Sequence, residues 1–415
     1  MKAPDEPAEL AGGTEMLIAS RRPFVVLALP LLAVLMLGGD ARAQGALHVV
    51  DDDGGVGVDF TSLGAAVAAA ADGDMLLVRD GTYEDALLLD GKGLTIAAEA
   101  GATVTVQFAS VHVINLAANQ HAIFRGIDTI ACQWTLTDNA GTVWIEDCEL
   151  VLGLWDTEAT VVAQDCANVA IIDSVILGMG VVTVFVADWA ASDAVWASGT
   201  ELSVSGSELW GGQGNGSPYG ADVDGGDGLT AIGGKTFITD SNLQGGDGDD
   251  ETGGTGLVLG PGAQSWLLDT TLVAGLGLFA GQQMVVADTP PTLLTGTAPR
   301  ISIASPLRYG EPVTVDVTAE PGATVFLLKQ ITPYGLFTPQ FGGVLLIDIG
   351  IAHTAVLGMV PASGVLSLNA LVPALPLFTA LPLANQIAVV APGGGVSLGN
   401  GTHILLLNPA DVPAP

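Results

Sequence analysis

Six segments of the chain carry one alternation of apolar and polar positions. They align on Gly126, Asp147, Asp173, Gly206, Asp240 and Asp269. Two positions earlier stand Phe124, Ile145, Ile171, Val204, Ile238 and Leu267, all apolar. One position later stand Ile127, Cys148, Ser174, Ser207, Ser241 and Thr270, and two beyond those Thr129, Leu150, Ile176, Leu209, Leu243 and Leu272. The steps between segments are 21, 26, 33, 34 and 29 residues, which suits solenoid rungs with loops of unequal length. A single rung cannot bury its apolar side. Stacking at about 4.8 Å can, so the pattern predicts a parallel β-helix with the apolar columns inside. The Asp or Gly followed by Ser or Thr marks a corner, where Asx- and Ser-type turns bend the chain.

Strand alternation sends the position three before the corner outward. That column reads Ile123, Trp144, Ala170, Ser203, Phe237 and Trp266. Trp144, Phe237 and Trp266, with small residues between, form a candidate carbohydrate-binding shelf on which sugar rings stack; the competing reading is that a loop or neighbouring domain covers them. Two glycine-rich loops begin at equal offsets in adjacent rungs, which places them on one side of the barrel. One carries Asp222, Asp224 and Asp227, the other Asp247, Asp249, Asp250 and Glu251. Several carboxylates on a flexible backbone suit calcium, although a solvated loop needs the same composition and neither loop has the helix–loop–helix calcium spacing. The corner pairs Asp147/Asp173 and Asp240/Asp269 sit one rung apart, near the separation of a retaining glycosidase's carboxylates, yet Asp is also an ordinary turn former.

The rhythm stops near Asp288. Residues 289–300, with Thr289-Pro290-Pro291-Thr292 and Thr297-Ala298-Pro299, read as a linker. From Ile301, short strands alternate with turns at Val313–Val317, Ala323–Lys329, Gly343–Ile349, Gly364–Leu368, Gln386–Val390 and His403–Leu407. That spacing predicts a small antiparallel β-sandwich over 301–415. Its composition resembles the C-terminal β-domains of large secreted proteins of environmental bacteria. Sorting, attachment and capping are the roles open to it.

At the other end, Arg21-Arg22, the apolar run Phe24 to Leu37 and Ala41-Arg42-Ala43 have the form of an export signal peptide over 1–43. Ser20-Arg21-Arg22-Pro23-Phe24-Val25 also resembles the twin-arginine motif, so either export route fits. The predicted destination is the cell envelope or the exterior. Residues 44–288 form the predicted β-helix. Its start holds Asp59-Phe60-Thr61-Ser62-Leu63-Gly64-Ala65-Ala66-Val67, an alanine-rich helix over 65–71, the strand Met75–Val78 and the turn Asp80-Gly81-Thr82-Tyr83-Glu84-Asp85. Over about 55 residues this resembles the N-terminal cap of the pectin-lyase-like superfamily, pectin methylesterases in particular. The resemblance implies an all-β chain with a right-handed parallel β-helix.

Composition narrows the function. The chain holds 11 Lys and Arg against 44 Asp and Glu, a net charge of −33. Removing residues 1–43 takes away four basic and five acidic residues, which moves that charge to −32. Such a surface repels nucleic acid and anionic lipid. The three cysteines read either as small buried residues or as one Cys148–Cys166 bridge. Catalytic groups are scarce. Gly141-Thr142-Val143-Trp144 has Trp where the esterase family's catalytic aspartate belongs, and only Arg125 and Lys235 are basic between Ala109 and Asp288. The five histidines lack metal-ligand spacing. The expectation is therefore an exported, non-enzymatic structural, adhesive or glycan-binding element, with polysaccharide or cell-surface glycan as partner and calcium as the one candidate cofactor. The alternative is a polysaccharide-degrading lyase or glycoside hydrolase with a divergent site along the Phe237/Trp266 face.

Overall fold

In a computed structural model, the described residues are 45–152, 158–180, 191–214, 224–248, 252–277, 284–338, 341–374 and 378–410. Residues 1–44, with the export signal expected over 1–43, lie outside them. Three long parallel sheets wind into a β-helix. Sheet 1 has ten strands, from Leu47–Val50 to Thr292–Leu293. Sheet 2 has eight, from Gly81–Tyr83 to Thr271–Val273, and sheet 3 has eight, from Leu87–Asp90 to Val285–Ala287. Each turn visits sheets 1, 2 and 3 in that order.

The register is the one the columns predict. Phe124, Ile145, Ile171, Val204, Ile238 and Leu267 are successive partners across sheet 1. All face one hydrophobic core, with Trp134 edge-on to Phe124 inside it. The corner has a definite conformation. Gly126, Asp147, Asp173, Gly206, Asp240 and Asp269 all have positive φ, between 47° and 65°. Asp and Gly enter that left-handed region most easily, which is why they recur there. The Ser column locks the turn: Ser174, Ser207 and Ser241 Oγ donate to the carbonyl two residues back and accept the amide of the preceding rung.

Cys132, Cys148 and Cys166 each follow a left-handed corner residue. All three are buried and free, so the alternative of a Cys148–Cys166 bridge gives way to the small-buried-residue reading. The N-terminal end is closed by the helix Leu63–Ala69, capped by Ser62. Asp85 ties this cap down by accepting from Ser62 Oγ at 2.8 Å and from the Gly64 amide.

The strand Thr292–Leu293 still pairs with sheet 1, so the β-helix runs into the expected linker. Beyond it lies a β-sandwich. Its three-stranded sheet holds Arg300–Ile303, Pro312–Thr318 and Val365–Leu371. Its five-stranded sheet holds Leu307–Arg308, Thr324–Gln330, His353–Met359, Ala380–Val390 and Val396–Leu407. A two-stranded ribbon of Leu336–Thr338 and Gly343–Leu345 accompanies these sheets, its second strand buried. The strand His353–Met359 is one the sequence pattern missed; its burial follows no simple alternation.

Candidate functional site: three outer faces of the β-helix

The aromatic column faces outward as expected, but it is not a free shelf. Trp144 is 0 % exposed and Phe237 2 % exposed, and Trp266 is partly buried with them. Val344 and Leu346 of the C-terminal domain pack on these rings, and Gly401 lies so close to the Trp144 indole that a Cβ there would meet it. The glycan shelf is therefore corrected to an inter-domain seam. Phe237, on the face where a lyase or hydrolase site was the alternative expectation, is buried in the same seam, and Trp266 only partly so.

The seam is also polar. Glu146 takes Arg125 Nη1 at 2.8 Å and Thr402 Oγ1 at 2.6 Å on one oxygen. On the other it takes Trp144 Nε1 at 2.8 Å and the His403 amide at 2.7 Å. Arg125, which reads in the sequence as an ordinary outward corner residue, is buried and also donates to the carbonyls of His403 and Ile303. Burial pushes the His403 imidazole down to about 3, helped by neighbouring Arg125, so the ring is neutral. At the rim, Arg300 joins Asp173 and Asp240. These corner aspartates are two rungs apart, and the intervening corner residue is Gly206, where a Cβ would collide with Asp173 and Arg300. The corner carboxylates are turn formers and clamp points. A second clamp holds Arg308 and Arg79 on buried Glu99.

The outer face of sheet 3 is partly exposed along its described residues. Its outward columns read His112, Thr135, Val162, Trp196, Thr230, Val258, Val286 and Ile114, Thr137, Gln164, Ser198, Ile232. All are half-buried or exposed, and after Asp90, which precedes Ile114 on the first rung, none is a carboxylate, lysine or arginine. On so acidic a chain this is a long wall that is uncharged beyond its first rung. A shallow concavity of about 600 Å³ borders it at the next corner, lined by Asp138–Ala140, Asp165–Ala167, Gly199 and Glu201.

The glycine loops leave the barrel between sheets 2 and 3, stacked as expected. Their arms hydrogen-bond in series: Gly226 N to Gly212 O, Gly246 N to Gly226 O, Gly254 N to Gly246 O, and Gly275 N to Gly254 O. A Cβ on Gly246 would fall on the Gly212 carbonyl. Gly246→Ala is expected to cost about 1–3 kcal/mol by forcing these arms apart; it should appear as a lower Tm and earlier proteolysis within 211–256.

Of the seven acidic loop residues, Asp222, Asp249, Asp250 and Glu251 lie outside the described residues. Asp224, Asp227 and Asp247 each accept a backbone amide of the next rung, from Thr252, Thr255 and Leu276. Among the described residues, no three His, Cys, Asp or Glu side chains are grouped to hold a metal.

Asp193, which the sequence pattern does not single out, begins the same ladder by accepting the Asp227 amide at 2.7 Å. Burial, then the Asp227 charge, raises its carboxyl to about 7. A carboxyl raised in the fold contributes full stability below its unfolded value of 3.8 and loses it as pH rises towards 7. Asp193→Asn, which keeps the acceptor, should raise Tm by a few degrees at pH 8 and leave it unchanged near pH 3. An unchanged Tm at pH 8 would remove that role.

Protein-family models give no match to the chain, and no curated protein matches it.

Proposed function

We propose that this is an exported, non-enzymatic β-helix protein that serves as an adhesive or structural element by holding a neutral polysaccharide on the outer face of sheet 3. The observation that carries the reading is the uncharged wall itself. A surface of Thr, Gln, Ser and aliphatic side chains around Trp196 offers hydroxyl and amide partners with one aromatic face, the combination that suits a sugar chain. The surrounding negative charge disfavours polyuronates. The cap residues and the three-sheet winding support a distant place beside the pectin-lyase-like superfamily, without its catalytic residues. Calcium enters the proposal as a ligand of the acidic loops, in which Asp224 and Asp247 each keep one carboxylate oxygen not given to an amide, while the second oxygen of Asp227 accepts from the Thr230 hydroxyl. A Tm that rises by several degrees with calcium supports that part, and an unmoved Tm removes it.

The main test is a panel of neutral and acidic polysaccharides against wild type, Trp196→Ala and Val162→Glu/Thr230→Glu. Binding to neutral polymers that is lost in both variants, with no reducing ends or unsaturated sugars released, is the expected outcome. Released product, or binding indifferent to both variants, would overturn it.

A further inference from the structure

The outer face of sheet 2 has a different chemistry, which the glycan reading leaves unused. Its column nearest the loops runs Ile130, Val151, Leu177 and Trp210 on four successive rungs. Ile130 is 48 % and Trp210 42 % exposed, with Val151 and Leu177 half-buried between them. The residues between these columns and the core, Leu150, Ile176 and Leu209, point inward and are fully buried, so this ladder is surplus to the fold. Parallel to it, two residues away along each strand, runs Asp128, Glu149, Val175 and Glu208. Of these, Glu149 and Glu208 are exposed and no described basic side chain is paired with either.

An apolar ladder flanked by a column of carboxylates specifies a partner that is apolar on one stripe and basic on the next. We infer that sheet 2 docks a basic amphipathic α-helix of another protein, laid along the barrel axis. The repeat fits: rungs recur at about 4.8 Å and helix turns at about 5.4 Å, so each turn can place one apolar side chain against the ladder. Four rungs span about 14 Å, close to three helical turns. Basic residues neighbouring that stripe meet Glu149 and Glu208, and the acidic body speeds their approach. A second copy of this chain does not fit, because its few basic side chains are dispersed or already ion-paired.

The probe is a synthetic Leu/Lys peptide patterned as an amphipathic helix, compared with the same residues scrambled. Wild type is expected to bind the patterned peptide at least about tenfold more tightly than the scrambled one. Glu149→Lys/Glu208→Lys and Trp210→Ala should each erase that preference, and Asp53→Lys/Glu320→Lys, of equal charge change elsewhere, should keep it. All of these side chains lie at the surface, so Tm should hold; should Trp210→Ala unfold, Ile130→Ser replaces it. Equal affinity for both peptides, or a preference that survives charge reversal on sheet 2, would overturn the inference.

Discussion

Replacing Glu146 with alanine is expected to destabilise the protein by about 3–5 kcal/mol, because it strands a buried arginine. Both Glu146 oxygens are occupied, by Arg125, Thr402, the Trp144 indole and the His403 amide. Without the carboxylate, the Arg125 charge stays in a buried seam with only carbonyls and one hydroxyl as described partners. Removing both charges relieves that penalty, so Arg125→Met/Glu146→Leu should recover most of the loss. Urea unfolding of the two single variants and the double variant measures the coupling. Two independent single losses that simply add would show that the pair does not act as a unit.

Trp144→Ala should cost a similar amount, about 3–5 kcal/mol, for a different reason. The indole is fully buried between sheet 1 and the C-terminal domain, beside Val344, Leu346 and Gly401. The cavity opens at the seam rather than within either core, so the two domains should separate before either unfolds. Unfolding is then expected to split into two transitions, with residues 289–300 becoming the first site of proteolysis. A single transition of unchanged midpoint would show that the seam contributes little. Acid should weaken the same contact. His403 is held neutral with its pKa lowered to about 3, so its share of stability is present above the ordinary 6.5 and lost as pH falls towards 3.

Much of the β-helix was legible in the sequence because its rungs repeat one physical problem. Inward positions such as Ile145 and Ile171 must be apolar, and corners such as Asp147 and Asp173 must tolerate positive φ. A second corner column, Asn115, Asp138, Asp165 and Gly199, escaped notice because its residue types vary more. The outward direction of Trp144 and Phe237 was readable by alternation, whereas the choice between a free shelf and a covered one was not. It depends on residues near 344 and 401, which no local pattern connects to residue 144. The burial of Arg125 was hidden for the same reason. Its partner Glu146 is local, but the carbonyls that complete its site belong to residues 303 and 403. The importance of Asp193 was hidden because a lone acidic residue at a strand start carries no signal until the next rung's amide is placed on it.

Hydroxyl-radical footprinting of the tryptophans, with and without a neutral polysaccharide, bears most directly on which face meets a ligand. Trp144 should stay unlabelled throughout, while Trp196 should label in the free protein and become protected when the polymer is added. Ready labelling of Trp144 that the polysaccharide suppresses, with Trp196 unaffected, would contradict the assignment and return the ligand to sheet 1.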